Sequence, residues 1–147
     1  MSVHKPLPHD AAHLHVTGAA RYVDDIPTPA DCLHLAFGLS PSAKGTLTHL
    51  DLTQASSAEG VIAVLSGEDL DPIPDCSPSN HDEPLLSDGA IHYAGQPLFL
   101  VAARSHLEAR RAAAAVRVEM REEQPLLSID DALAANSIFE DCTLIYT

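Results

Sequence analysis

Gly95-Gln96-Pro97-Leu98-Phe99-Leu100-Val101-Ala102-Ala103-Arg104-Ser105-His106-Leu107-Glu108 is the stretch that decides how this chain folds. Leu98 to Ala103 is a continuous apolar run, the pattern of a buried strand. The tight connection Gly95-Gln96-Pro97 leads into it. Ser105 and Glu108 then stand in capping-box register: the Ser105 hydroxyl can accept from the Glu108 N–H, and the Glu108 carboxylate can reach back. The spacing predicts a helix running through Ala115, because Ala112 to Ala115 have the highest helix propensity. Val116 to Met120 alternates apolar and charged residues and reads as a strand. Glu122-Glu123-Gln124-Pro125 breaks it. Ser128 to Ala135 reads as a last short helix, again with a capping-box pair, Ser128 and Asp131.

Upstream the same signals recur. Leu33, Leu35, Phe37 and Leu39 fall on one face of a period-two segment, with His34, Ala36 and Gly38 on the other, the mark of a half-buried strand. Ser40 to Ala43 reads as a turn and Thr46 to Leu50 as a second strand. Asp51 and Gln54 predict a short capped helix that Gly60 ends. Val61 to Leu65 is a run of apolar, mostly β-branched residues short enough for a buried strand. Ser66 to Leu70 suggests one capped turn. Asp71 to Leu86 holds four prolines among Asp, Ser and Asn, and reads as a long exposed loop of the functional or mobile kind. Gly89 to Tyr93 resumes order. Strand, capped helix and strand thus follow one another twice, and each set allows a right-handed crossover. The fold class expected is α+β (mixed α/β), with a mixed sheet flanked by short helices.

Residues 1–18, with Pro6, Pro8, His4, His9, His13 and His15, read as an extended N-terminal arm. Ala19 to Val23 reads as a short strand that Pro27 helps to end. The main domain is expected over 19–135. Residues 136–147 end in apolar Leu144-Ile145-Tyr146, an unusual finish for an independent protein, and read as the start of a connection to further domains.

Composition narrows the function classes. The chain has 147 residues and a formal net charge of −13. The length suits one domain with a real core. Such an acidic surface repels phosphate backbones and anionic membranes, so neither nucleic acid nor membrane is expected as a partner. No apolar run approaches the roughly 20 residues that span a bilayer, and the first ten residues lack the apolar stretch of a signal peptide. A cytoplasmic location is the expectation. Cys32, Cys76 and Cys142 are sparse and odd in number, which argues against a disulfide framework and a thiolate metal site.

The residues that carry chemistry elsewhere give little here. His13 and His15 lie on one side of an extended segment, but no Asp, Glu or Cys at ligand spacing completes a metal set. The adjacent carboxylates Asp24-Asp25, Asp82-Glu83 and Asp130-Asp131 read as turn and cap residues. Cys76 has acidic neighbours that work against a reactive thiolate. No phosphate-binding glycine loop and no Gly-x-Ser-x-Gly motif occurs. No catalytic, cofactor-binding or metal-binding residue is expected in the chain.

A family resemblance adds to this. Lys5-Pro6-Leu7-Pro8-His9-Asp10 followed by Val16-Thr17-Gly18-Ala19-Ala20-Arg21-Tyr22-Val23-Asp24-Asp25-Ile26-Pro27 resembles the opening of the molybdenum-binding subunit of bacterial xanthine dehydrogenase. The later stretches Leu33-His34-Leu35-Ala36-Phe37, Gly60 to Val64, Gly95 to Ala103, His106 to Ala115 and Ile129 to Leu133 follow in the order of the xanthine dehydrogenase and aldehyde oxidase family. In that family this region is the a/b hammerhead domain, the N-terminal portion of a much longer subunit. The family reaction is hydroxylation of a purine carbon, with oxygen from water and electrons passing through molybdenum–molybdopterin, 2Fe-2S clusters and FAD to NAD.

The family's catalytic Glu and cofactor-binding Gln belong to later domains, so the resemblance implies a structural part of an enzyme, inactive alone and without cofactor. Gln96 belongs to the hammerhead pattern and is not the cofactor glutamine. The expected partners are the remaining domains of the same subunit and the FAD and iron–sulfur domains or subunit. The resemblance also implies that the hammerhead contributes to the rim of the substrate passage, here through Ser79, Asn80, Asp82 and Glu83. In vertebrate relatives the positions before the Asp-Glu pair are apolar; Ser79 and Asn80 depart from that. Two alternatives stand beside this reading. One is a free-standing binding or scaffold module of hammerhead fold. The other is the same domain of an aldehyde oxidase-like hydroxylase.

Overall fold

The computed structural model describes residues 6–137. His4, Cys142 and the apolar end Leu144-Ile145-Tyr146 lie outside the described residues, as does most of the expected connection at 136–147. The chain divides between Cys32 and Leu33 into two units.

The first unit differs from the expected extended arm. Ala12–Thr17 forms a short helix, α1, with no buried residue. Pro6 and Pro8 stop short of it, the Ala12 N–H donates to the His9 carbonyl at 2.9 Å, and the chain leaves through Gly18 at φ +71°. His13 and His15 therefore sit two apart on a helix, where successive positions turn by about 100°, and do not share a side. The strand expected at Ala19 to Val23 is absent. A single 3₁₀ turn, Val23–Asp25, stands there, and the Asp25 carboxylate accepts from the Tyr22 N–H at 2.9 Å.

Among the described residues, the second unit holds six strands in two sheets. The strands are β1 (His34–Leu39), β2 (Gly45–Asp51), β3 (Val61–Ser66), β4 (Ala90–Ile91), β5 (Pro97–Ala103) and β6 (Arg117–Glu122). One sheet has the order β1-β5-β3 and the other β4-β2-β6, and every pairing is antiparallel. The expected α+β class is met, but a pair of antiparallel sheets replaces the single mixed sheet. The crossover reading fails for the same reason. β2 and β3 lie in different sheets, as do β5 and β6, so the helices between them join sheets rather than parallel strands. Those helices are α2 (Thr53–Ser56) and α3 (His106–Ala115); α4 (Ile129–Ala134) follows β6.

Local signals account for the elements. Ser105 caps α3 as expected: its Oγ accepts from the Glu108 N–H at 3.2 Å and donates to the Glu108 carboxylate at 2.8 Å. Ser128 and Asp131 repeat this at α4, at 3.1 and 2.6 Å. For α2 the capping position is Leu52, while Asp51, still in β2, accepts from the Thr53 N–H at 3.0 Å.

α3 packs across β1, β5 and β3 through its buried Ala109 and Ala112. The core beneath it is Phe99, Val101 and Ala103 of β5 with Ala36 of β1, and Ile91, Leu98 and Ala55 complete it. β1 forms where its alternation predicts, but with its large residues outward. Ala36 and Gly38 face the core, whereas Leu35, Phe37 and Leu39 are 56%, 43% and 51% exposed. The reason lies on β5. Gly38 pairs with Phe99, and a methyl group at Gly38 would overlap the Phe99 ring. The small side of β1 is the only side that fits under that ring and under the alanines of α3.

The sheets are joined at the turn into β5. The buried Gln96 side chain accepts from the His92 N–H at 2.7 Å and donates to the Ala90 carbonyl at 2.9 Å, tying β4 to the start of β5. Gly95, at φ +88°, donates to the Ser40 carbonyl at 2.8 Å, and the Ser40 N–H donates to the Gln96 carbonyl at 2.8 Å.

Two substitutions test this arrangement. Gly38→Ala lowers stability by about 1–3 kcal/mol through overpacking against Phe99, and pairing it with Phe99→Leu recovers part of the loss; denaturant titration reads both. Gly95→Val costs about 1–3 kcal/mol, because a β-branched residue is strained at positive φ. A melting temperature that Gly95→Val leaves unchanged would contradict that geometry.

Candidate functional site

The sequence points to the 71–86 loop as the place to look. The structure makes it a closed finger. The Cys76 N–H donates to the Glu83 carbonyl at 2.9 Å and the Leu85 N–H to the Pro74 carbonyl at 2.8 Å, so Asp75 and Pro84 form a single bridge. Inside the finger the Asp75 carboxylate accepts from the Ser77 N–H at 2.7 Å, and Ser77 Oγ accepts from the Asn80 N–H at 3.1 Å. Short Asp and Ser side chains satisfy the backbone here where no strand partner reaches. His81 sits at φ +56°, with its imidazole 3.9 Å from the Asp75 carboxylate. Ser79, Asn80, Asp82 and Glu83 are all exposed beyond the bridge. The loop ends inward at Leu86, which is fully buried and anchors the finger to the domain.

A second feature was not visible in the sequence. An open cleft of about 640 Å³ lies between β2, the turn after β3 and the segment before β4. Leu47, Leu50, Ile73 and Leu98 supply its apolar lining, and His49, Glu68 and Asp88 its polar groups. These come from segments distant along the chain, so no motif could have signalled them. The wall at Ser66 is fixed by a cap. The Ser66 N–H and hydroxyl donate to the Asp69 carboxylate at 2.7 and 2.9 Å, and these two bonds hold the Asp69 carboxyl below the usual carboxylate range. Outside the cleft, at the end of β2, the Thr53 hydroxyl and N–H likewise lower the Asp51 carboxyl.

Neither feature assembles reactive groups. Among the described residues no group of three or more His, Cys, Asp or Glu converges as a metal site requires. Cys32 and Cys76 are exposed, and Cys76 lies within the finger. His15 pairs with Tyr22, ring centroids 6.0 Å apart, and not with His13. These residues do not offer the ligand set of a metal or iron–sulfur centre. Among the described residues, no helix is long and apolar enough to cross a membrane.

Known proteins share this arrangement. Residues 17–124 match the family model described as "Aldehyde oxidase and xanthine dehydrogenase, a/b hammerhead domain". The chain belongs to this family. Xanthine dehydrogenase of Oryza sativa subsp. japonica is 35% identical over 136 residues, covering 92% of this chain and 10% of that protein. Probable aldehyde oxidase 1 of the same organism is 32% identical over 145 residues, covering 94% of this chain and 11% of that protein. Among solved structures, the aldehyde oxidoreductase from Desulfovibrio gigas superposes with a TM-score of 0.76 at 29% identity, covering 89% of this chain and 16% of that one. The hammerhead chain thus spans about a tenth of the length of the relatives it matches. The finger, the cleft and both sheets fall within the matched residues.

The Ser66–Asp69 and Asp51–Thr53 caps set an acid limit. A carboxyl lowered in the folded state adds stability above its unfolded pKa of about 3.9 and loses it as pH falls through the folded value. The melting temperature is therefore expected to drop below about pH 4. Asp69→Asn keeps an acceptor for Ser66 but removes the charge, and should flatten that drop in a pH series of thermal melts.

Proposed function

We propose that this chain is the N-terminal hammerhead part of the molybdenum-binding subunit of a xanthine dehydrogenase. It builds and shapes that subunit and carries no chemistry itself. The observation that carries the reading is the coverage: xanthine dehydrogenase relatives match more than nine-tenths of this chain, yet it accounts for only 10% of their length. The Pro6-Leu7-Pro8-His9 opening supports the same choice within the family. In this reading residues 136–147 lead into further domains of the subunit. Molybdopterin, the 2Fe-2S clusters and FAD sit in other domains or subunits, and the complete protein hydroxylates a purine in the cytoplasm as a step of purine breakdown.

The 71–86 finger then forms part of the rim of the substrate passage. Ser79 and Asn80 present polar groups at its tip, with Asp82 and Glu83 behind them. Four exposed polar side chains favour a rim that admits a polar heterocycle over one that seals against it. A second reading, an aldehyde-oxidising relative, is favoured by the identity to probable aldehyde oxidase 1 and the likeness to the Desulfovibrio aldehyde oxidoreductase.

The product of the complete gene separates these readings. Purified with its cofactors, it should reduce NAD with xanthine and only weakly with aldehydes; the reverse preference overturns the purine reading. The 147-residue chain purified alone should hold no stoichiometric molybdenum by elemental analysis, and finding it there overturns the structural role.

A further inference from the structure

The outward face of the β1-β5-β3 sheet is exposed to solvent along β1 and has no polar residue near its centre. Leu35, Phe37 and Leu39 of β1 project there. The pairing register adds Leu100 opposite Phe37 and Ala102 opposite Leu35 on β5, and Leu65 and Ala63 beside them on β3. Strands stand about 4.8 Å apart, so three of them span about 10 Å, the width of one helix or one packed layer. The opposite face of the same sheet is covered by α3, with α2 beside it on β3. Contiguous apolar faces of this kind mark interaction sites.

We infer that this face is the seat of an apolar surface belonging to the part of the polypeptide outside these 147 residues. The inference rests on the reading of the chain as one part of a longer subunit, and names where that subunit closes on it. Two observations favour this occupant over a second copy. The matched relatives are about ten times longer than this chain, so ample chain is available to cover the face. Each copy also carries a net charge of −13, and two such copies repel as they approach. A tethered surface meets the face at an effective concentration in the millimolar range without a separate encounter.

The test uses the complete gene product carrying Leu35→Cys, with alkylation at residue 35 followed by peptide mass mapping so that the native cysteines do not interfere. Under native conditions alkylation should be at least about tenfold slower than in urea, and should stay so on dilution. Alkylation as fast as in urea, in a protein that still holds molybdenum, overturns the seat and leaves the family reading standing. Protection that vanishes on dilution as the protein dissociates identifies a second copy and also overturns it. A complete gene product that ends at Thr147 overturns both. In a second measurement, Leu35→Asp in the complete protein should lower its melting temperature by several degrees, because a charge would be forced into an apolar contact; an unchanged melt counts against the seat.

Discussion

The Phe99 ring lies against the bare backbone of Gly38, and the rest of the domain is arranged around that contact. It brings β1 close enough to β5 for α3 to settle on both, with Ala109 and Ala112 as its only buried side chains. A seam where one large ring meets Gly and Ala tolerates little change, because packing is dense and each added carbon must displace something. It also dictates orientation. Once the small side of β1 is under Phe99 and α3, Leu35, Phe37 and Leu39 have only the outer side left. The apolar outer face is therefore a consequence of how the core is filled.

The second constraint is the Gln96 amide. Buried amides must find partners or cost about 1–3 kcal/mol, and Gln96 finds one on β4 and one just after it, while its backbone pairs with Ser40. One side chain thus couples the strand that centres one sheet to an edge of the other. The cleft opens beside this junction, since two small sheets joined at a corner leave space between β2 and the end of β3. Its lining of Leu47, Leu50 and Leu98 is continuous with the core rather than an addition to it.

What was legible in the sequence follows from range. Capping boxes and strand periods are written within a few residues, and Ser105–Glu108, Ser128–Asp131, β1, β3, β5 and α3 all appear where those signals put them. Strand partnership is written across tens of residues, as in the pairing of Phe37 with Leu100, and no local pattern carries it. Two strand–helix–strand stretches therefore read as crossovers although their strands part company into different sheets. The outward turn of β1 was hidden for the same reason, because its cause is a ring on β5. The finger was legible as a loop from its prolines, but its closure by the Cys76–Glu83 and Leu85–Pro74 bonds was not. α1 escaped notice because the nearby prolines and histidines suggested an arm, although Ala11-Ala12 and Leu14 are good helix formers.

The acidic excess has a structural explanation that bears on the role of the domain. Asp25, Asp51, Asp69, Glu108 and Asp131 each accept a hydrogen bond at the start of a turn or helix, or just before one. Such carboxylates are satisfied by backbone N–H groups at Asp25, Asp51 and Asp69 and by serine hydroxyls at Glu108 and Asp131, so they need no cation. With only eight Lys and Arg to offset them, the charge stays uncompensated at −13. The surface that results discourages association of like copies while leaving one uncharged face open. A domain with that combination is suited to being closed on by a tethered neighbour of different charge, and poorly suited to stacking on itself.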